Sequence, residues 1–533
     1  MSGEKVYTNT LRGLKARRRA DKLRSYNEES EMKFWRRACG TATASLLFFS
    51  TGTASGANGA PIGSVNARPP GQKMKAAVDE VFEDLTRPGS PGCALGVYRD
   101  GQMLYEKGYG LANIEEDVAI TPKSVFDIGS TSKQFTAASI LLLEKQGKLS
   151  VNDDVRKYLP ELPDYGKKIT ILHLLNHTSG LRDYLTLMDL AGINTDSVTT
   201  DGDALALIVR QRALNFDPGS EWLYSNTGFF LLSVIVKRVS GKSLKEFAAD
   251  NIFTPLGMTH TQYRDSHTAL IPDRALAYDA KEETDGYSLN VSYFEQTGDG
   301  AVHTSVEDLL KWDENFYSGQ VGGKIFLADL QERGKLNGGK VVSYAKGLAL
   351  SDYRGLHTVR HGGSWGGYRA ELLRFPDQHF SVACLCNVGN ADPSRRANQV
   401  ADVYLGSLMK AKDVKEKLDE TRKKENAGVP PSIEQLQALA GNYWSEELGV
   451  TYRVAVADGS LKVLAVLDRS GLPRANNFSP NELRSAGRDD FTIGGDSITM
   501  DFKRDAKGEA QGFVMDAGRT TGVIFKRAET IAP

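Results

Sequence analysis

Ser130 and Lys133, in the run Ser130-Thr131-Ser132-Lys133, open a strongly apolar stretch that continues to residue 146. Positions i and i+3 share one face of a helix, so the lysine ammonium can reach the serine hydroxyl. Burial at a helix N-terminus favours a neutral lysine able to take a proton, and the backbone N–H groups there can receive a forming oxyanion. Serine and lysine are common surface residues, so this pair alone is unspecific. Two further elements follow in order. Tyr224-Ser225-Asn226 precedes a second helical stretch, where a phenol can share proton transfer and an amide can hold the lysine or the substrate. His361-Gly362-Gly363-Ser364 lies in a strand-like region, where glycines allow a substrate backbone to pass close to the strand edge.

These residues need a sheet and helices to hold them. CALGVYRDGQMLYEKGYG reads as two strands joined at Asp100-Gly101, a favoured hairpin pair. Residues 130 to 146 read as a helix stopped by Gly147, and NTGFFLLSVIVKRVSG as a helix closed by Gly241. SVEDLLKWDENFYSG reads as a third helix, its Ser305 and Asp308 resembling a capping box. Strand patterns return between about residues 355 and 388 in YRAELLRFPD and HFSVACLCNV. Strands, a helical region and strands again predict one sheet assembled from both ends of the segment, with a helical insertion.

With all three elements in place the chain resembles the serine β-lactamase and penicillin-binding-protein-related hydrolases, in the branch of class C β-lactamase-like enzymes, D-aminopeptidases and β-lactamase-fold esterases. LLNHTSGLRDY, FDPGSEWLYSNTGFFLLSVIVKRVSGKSLKEF and IFTPLGMTHT add to the likeness, which covers roughly residues 75 to 410. The resemblance implies an α/β (α+β) fold: an antiparallel sheet flanked by helices, with a helical subdomain. It implies Ser130 as acylated nucleophile, Lys133 as its proton partner and Tyr224 as second member of the base system. Asn226 would bind the substrate amide or position Lys133, and His361, Gly362, Gly363 and Ser364 would form the substrate-binding strand. The N–H groups of Ser130 and Ser364 would make the oxyanion hole. No cofactor and no metal is required. The expected reaction is cleavage of an amide or ester in a small-molecule or peptide substrate, D-amino acid peptidase or esterase-like. The alternatives are a true β-lactamase or D-Ala-D-Ala carboxypeptidase and, from another class, a noncatalytic peptidoglycan-binding protein.

One position departs from the pattern. His361 stands where the β-lactamase and carboxypeptidase pattern has a lysine, and an imidazole is mostly neutral at pH 7.5. The cation that grips a substrate carboxylate is then missing, unless Arg360 or Arg369 supplies it. Other motifs weigh less. GGSWG at 362 to 366 matches the nucleophile elbow GxSxG, but a β-like run with a proline follows where that elbow requires a helix. His173 and His177 lack the glutamate of a zinc-protease motif, and a packing role suits His177 better. Trp222 and Trp365 suit either a pocket wall or the core.

The 533 residues allow several domains, and 66 basic against 67 acidic residues exclude nucleic acid as a general partner. That balance is uneven: residues 1 to 38 hold eleven bases and five acids, so the remainder carries a net charge of −7. From Met32, a basic run and the short apolar stretch Thr41 to Ser50, followed by small residues, read as a secretory signal. Translation from Met32 in place of Met1 would put that signal at the N-terminus. The stretch is too short for a permanent membrane span, and the expected location is periplasmic or secreted. The expected organisation is a basic extension and signal (1–60), a linker (61–74), the hydrolase domain (75–410), a charged linker (411–431) and an antiparallel, lipocalin-like β-barrel domain (432–533). That last domain shows strand and turn patterns around Asp458-Gly459 but no catalytic cluster. Cys39 leaves with the leader. Cys93, Cys384 and Cys386 remain as an odd three, read as buried thiols, with the last two facing one side of a strand.

Overall fold

A computed structural model describes residues 71–194, 197–281, 286–411, 431–494 and 497–528. The predicted leader, residues 61–70 of the linker after it and residues 412–430 of the charged linker lie outside the described residues. The first hairpin forms as its sequence requires: β1 (Cys93–Arg99) and β2 (Gln102–Tyr109) meet at Asp100 and Gly101, both at positive φ. The helices α1 (Lys133–Lys145), α2 (Asn226–Ser240) and α3 (Val306–Ser318) follow, the last two closed by left-handed Gly241 and Gly319. At α3 only half of the expected capping box exists. Ser305 Oγ accepts from Asp308 N, while the Asp308 carboxylate accepts from His260 N and Thr261 Oγ1 and so ties down a neighbouring loop.

The strands β3 (Tyr344–Ala345), β4 (Leu348–Tyr353), β5 (Leu356–Trp365), β6 (Tyr368–Phe375) and β7 (Phe380–Cys386) join the first hairpin in one antiparallel sheet, ordered β3-β4-β5-β6-β7-β1-β2. Its two faces are buried differently. Ala94, Tyr98, Ala370 and Leu372 pack toward α1 and α3, whereas Cys93, Leu95, Leu373 and Phe375 pack toward α4 (Pro393–Leu405) and the helix Gln72–Glu80. Period-two alternation sends neighbouring residues to opposite cores, which is why every residue of β6 and β7 is buried.

The cysteines correct one expectation. The register places Cys93 opposite Cys386, and the two form a disulfide, leaving Cys384 as the free buried thiol. Cys384 and Cys386 do share a face of β7, with sulfur atoms 3.8 Å apart. An odd count excluded a framework of bridges but not a single bridge across two adjacent strands.

The C-terminal residues form a closed antiparallel barrel of eight strands: β8 (Gly441–Ser445), β9 (Val450–Ala457), β10 (Ser460–Leu467), β11 (Glu482–Ser485), β12 (Asp490–Ile493), β13 (Ile498–Arg504), β14 (Ala510–Ala517) and β15 (Thr520–Ala528). The β9–β10 pairing closes it, with positive φ at Asp458 and Gly459 in the turn. It packs onto the segment 182–193 of the helical region. Tyr452 Oη donates to Leu190 O at 2.6 Å, Ala475 N donates to Gly192 O at 3.2 Å, and buried Arg182 pairs with Glu447 at 2.6 Å. Among the described residues no helix is long and apolar enough to cross a membrane.

Candidate active site

Ser130 sits in a short 3-10 turn, Gly129–Ser132, that runs directly into α1. Gly129 before it has φ +47, a left-handed conformation that side chains disfavour, and its N–H donates to Asp127 Oδ1 at 2.8 Å. A Cβ on Gly129 would lie 2.6 Å from Ser364 N, so the edge of β5 runs against the nucleophile turn. That approach places the Ser364 N–H beside the Ser130 segment. Gly363 permits it: a Cβ there would stand 1.8 Å from Ile128 O. The space left by this glycine is thus taken by the protein's own backbone, where the sequence pointed to a substrate's. Thr131 Oγ1 donates to His361 O at 3.0 Å and fastens the same contact.

Lys133 is fully buried one turn further on. Its Nζ is 3.0 Å from Ser130 Oγ, 2.9 Å from Asn226 Oδ1 and 2.6 Å from the carbonyl of Asp299. Asn226 begins α2, and its amide O is therefore a lysine anchor. Tyr224 comes to the lysine through its ring, whose centroid is 4.9 Å from Nζ. His177 packs on that ring at 4.2 Å, and its Nδ1 accepts from Ser225 N at 3.1 Å. His173 Nδ1 instead accepts from Thr170 N, so the two histidines are committed to different backbone amides.

On β5, His361 Nδ1 contacts Gly362 O at 2.6 Å and Nε2 contacts Tyr344 Oη at 3.0 Å. A donating Nδ1–H and an accepting Nε2 satisfy both contacts with a neutral ring. Burial, reinforced by the charge of Lys133, pushes the His361 pKa down to about 3. The two arginines proposed as substitutes for a cation here are occupied elsewhere. Arg360 pairs with Glu371 at 2.9 Å and reaches toward Asn398 of α4, on the other face of the sheet. Arg369 donates to the carbonyls of Gly366 and Tyr368.

Beside Ser130 a cavity is lined by Leu185, Phe294 and Trp365 with Asp127, Arg264 and Asp299 among its polar walls. Trp365 stacks edge-on against Phe294 and donates to Ser292 Oγ; Trp222 lies on the other side, near His177 and Tyr344. Burial raises Asp127 to about 7 and Asp299 to about 6, the latter against the pull of the Lys133 charge. Ser364 is followed by the tight turn into β6, not by a helix, so it has no elbow geometry.

Three supporting residues were given no role by the sequence reading, although they end the quoted run LLNHTSGLRDY. Asp183 Oδ2 accepts from Asn226 N at 2.6 Å and fixes the start of α2. Tyr184 Oη donates to Asp299 Oδ2 at 3.0 Å, steadying the residue whose carbonyl holds Lys133. Arg182 turns the opposite way, to the barrel, where it donates to Thr521 O and Gly522 O as well as Glu447. The run Arg182-Asp183-Tyr184 thus connects barrel, helix and lysine. The fourth missed residue is Arg519 of the barrel, whose guanidinium carbon lies 4.7 Å from the Tyr224 ring centroid.

Comparison with known proteins gives the family and the fold. A sequence model of the family described as Beta-lactamase matches residues 78–405. Penicillin-binding protein 4* of Bacillus subtilis is 33% identical over 334 residues, covering 59% of this chain and 72% of that protein. A D-aminopeptidase of Gluconobacter oxydans is 29% identical over 381 residues, covering 70% and 67%. Among solved structures, the octameric penicillin-binding protein homologue from Pyrococcus abyssi matches with TM-score 0.56 at 24% identity, over 85% of this chain and 99% of that one. The D-amino acid amidase from Ochrobactrum anthropi SV3 matches with TM-score 0.54 at 22% identity, over 63% and 99%.

Proposed function

The chain belongs to the β-lactamase family, and from that premise we propose that it is a serine hydrolase that cleaves an amide or ester through an acyl-enzyme at Ser130, with D-amino acid peptidase or esterase-like specificity. The observation that carries this reading is the Lys133 Nζ to Ser130 Oγ contact of 3.0 Å, made by a buried lysine that also meets the oxygen acceptors Asn226 Oδ1 and Asp299 O. In the neutral form Lys133 keeps two donors for Asn226 Oδ1 and Asp299 O, and offers its lone pair to the Ser130 proton. Ser130 Oγ then attacks the carbonyl carbon, and the oxyanion forms against the N–H groups of Ser130 and Ser364. Lys133 returns the proton to the departing amine or alcohol. Water attacks the acyl carbon in the second half, passes its proton through the same group and releases the acid. Tyr224, packed against the lysine, is the second member of this proton path.

The neutral His361 supports a reading in which substrates are not held by a cation on β5, with peptidase or esterase action ahead of β-lactam hydrolysis. The Cys93–Cys386 bridge suits an oxidising compartment and so supports export, as does the signal read from Met32. Incubation with a fluorophosphonate or a penicillin followed by mass spectrometry tests the mechanism. We expect one adduct, located at Ser130 and lost in Ser130→Ala. An unlabelled protein, or a label that persists in that variant, would remove the proposal and favour a binding role.

A further inference from the structure

The segment Gly298-Asp299-Gly300-Ala301 is held in an unfavourable backbone conformation. Gly298 has φ +103, with no room for a Cβ, which would stand 2.4 Å from Phe229 O. Ala301 has φ +77, a region that a residue with a Cβ rarely enters. The surrounding contacts impose both. Thr136 Oγ1 donates to Gly298 O at 2.7 Å, Val302 N to Ser132 Oγ at 3.0 Å, and Ile128 N to Val302 O at 3.0 Å. The segment is thereby fastened to the chain on either side of Ser130. Backbone strain of this kind persists where neighbouring structure enforces it, and it collects at functional sites.

The effect of the bend is visible at Asp299. Its carbonyl accepts from Lys133 Nζ at 2.6 Å, and the same nitrogen is 3.0 Å from Ser130 Oγ. Its side chain takes another direction and lines the cavity beside Ser130, together with Asn226 and Tyr184. Tyr184 Oη donates to Oδ2 at 3.0 Å and restrains the carboxylate. A Cβ on Gly300, the next residue, would lie 3.8 Å from Gly129 O, so the nucleophile turn is in van der Waals reach. The cavity measures about 30 Å³, whereas a water needs only roughly 10–15 Å³ of such space and about two to four polar partners. The carbonyl of Asp299 thus anchors the lysine, while acylation leaves its buried carboxylate without a task.

We propose that Asp299 holds the hydrolytic water of the second half-reaction: its carboxylate accepts one hydrogen of that water and aims the oxygen at the acyl carbon on Ser130. The inference rests on the acyl-enzyme reading above. The water oxygen bonds to the acyl carbon, and one water proton passes to Lys133 Nζ. As the bond from carbon to Ser130 Oγ breaks, that proton moves on to Oγ, and the other hydrogen leaves with the released acid. The charge of Asp299 is unchanged throughout. With its pKa raised by burial to about 6, the group is ionised at pH 7.5 and acts as an acceptor.

The test is pre-steady-state hydrolysis of p-nitrophenyl acetate, whose good leaving group makes acylation fast, by the full chain and by Asp299→Asn. In that variant Tyr184 keeps the amide oxygen, and an NH2 donor faces the water in place of an acceptor. Slower deacylation alone lowers kcat and KM in step and leaves kcat/KM, which reports acylation, where it was. We expect both parameters to fall about 10²-fold, the scale of misplacing a reactant. A burst of p-nitrophenolate and an acetyl adduct on Ser130 should accompany the fall. Tyr184→Phe, which frees the carboxylate without removing it, should give the same signature at smaller size. It carries the test if thermal unfolding shows Asp299→Asn to be misfolded. A loss in kcat/KM equal to the loss in kcat would make Asp299 a support of Lys133 and overturns the assignment, as do unchanged kinetics in the folded variant. Failure of the acyl-enzyme reading is separately visible, because wild-type Ser130 would then take no acyl group.

Discussion

The two sides of the catalytic serine are built on different principles. On the side of α1, Ser130, Lys133 and Asn226 are held by hydrogen bonds of 2.9 to 3.0 Å, and a spacing of three residues puts the first two together. On the side of Tyr224 the contacts are mainly ring on ring, with His177, Tyr344 and His361 around the phenol, and the charge comes from a separate barrel. The first side is a reaction centre that a short sequence can specify. The second is an aromatic wall that includes Tyr224, proposed above as a member of the proton path, and it is completed by a distant turn that docks against it.

The docking of the barrel is the first place to break this contrast. Arg182 and Glu447 are both buried, and Glu447 Oε1 also accepts from Arg212 N at 2.8 Å. Glu447→Gln leaves the Arg182 charge in the interior without its counter-ion, a loss of about 3–5 kcal/mol for a pair of this kind. Calorimetry should show the earliest unfolding transition moved down in temperature, and selectivity among substrates should change with it. Unchanged unfolding together with unchanged selectivity would mean that the barrel is a passenger.

The reaction side is broken by a single methyl group. Gly363→Ala sets a Cβ at 1.8 Å from Ile128 O, and the atoms met first belong to the Ile128 main chain, which cannot yield without moving the nucleophile turn. The expected consequence is separation of the Ser364 N–H from Ser130, with kcat down about 10²–10³-fold, the scale of losing one oxyanion donor. Stopped-flow acylation with a neutral ester is the measurement. A normal acylation rate would show that Ser364 is not part of the oxyanion site.

The legibility of each side in the sequence follows from the same contrast. Ser130 and Lys133 could be placed together because helix geometry converts a spacing of three into proximity, whereas Asn226, 93 residues from Lys133, was singled out by the motif Tyr224-Ser225-Asn226 and not by spacing; the sheet was readable because alternation and Asp-Gly turns are local. Arg519 could not be assigned: its carbonyl meets Asn215 across 304 residues, and its own surroundings read only as a hairpin. The Cys93–Cys386 bridge lies between these cases. It spans 293 residues, yet a sheet assembled from both ends of the segment already required its first strand to find late partners. Counting cysteines concealed what the strand pairing implied. Asp308 failed as a capping-box partner for a similar reason, since a tertiary contact with His260 and Thr261 took its carboxylate.

The smallest expected effect concerns the charge state of position 361, beside the Tyr224 ring. In the unfolded chain an imidazole titrates near 6.5, whereas burial and Lys133 hold folded His361 at about 3. Between those values the unfolded chain binds a proton that the folded chain refuses, so stability falls as pH drops from about 6.5 toward 3. The slope attributable to one such group is about 1.4 kcal/mol per pH unit. His177 is lowered in the same direction, by burial first and then by Lys133, so both imidazoles flanking Tyr224 favour the neutral form. Denaturant unfolding at pH 6 and pH 5 should thus show a steeper loss of stability in the wild type than in His361→Gln, with a difference near one group's slope. Equal slopes would mean that His361 accepts a proton in the fold. It would then carry charge at the end of the site where β5 has an imidazole in place of the family's lysine, and the reading of a neutral strand there would not hold.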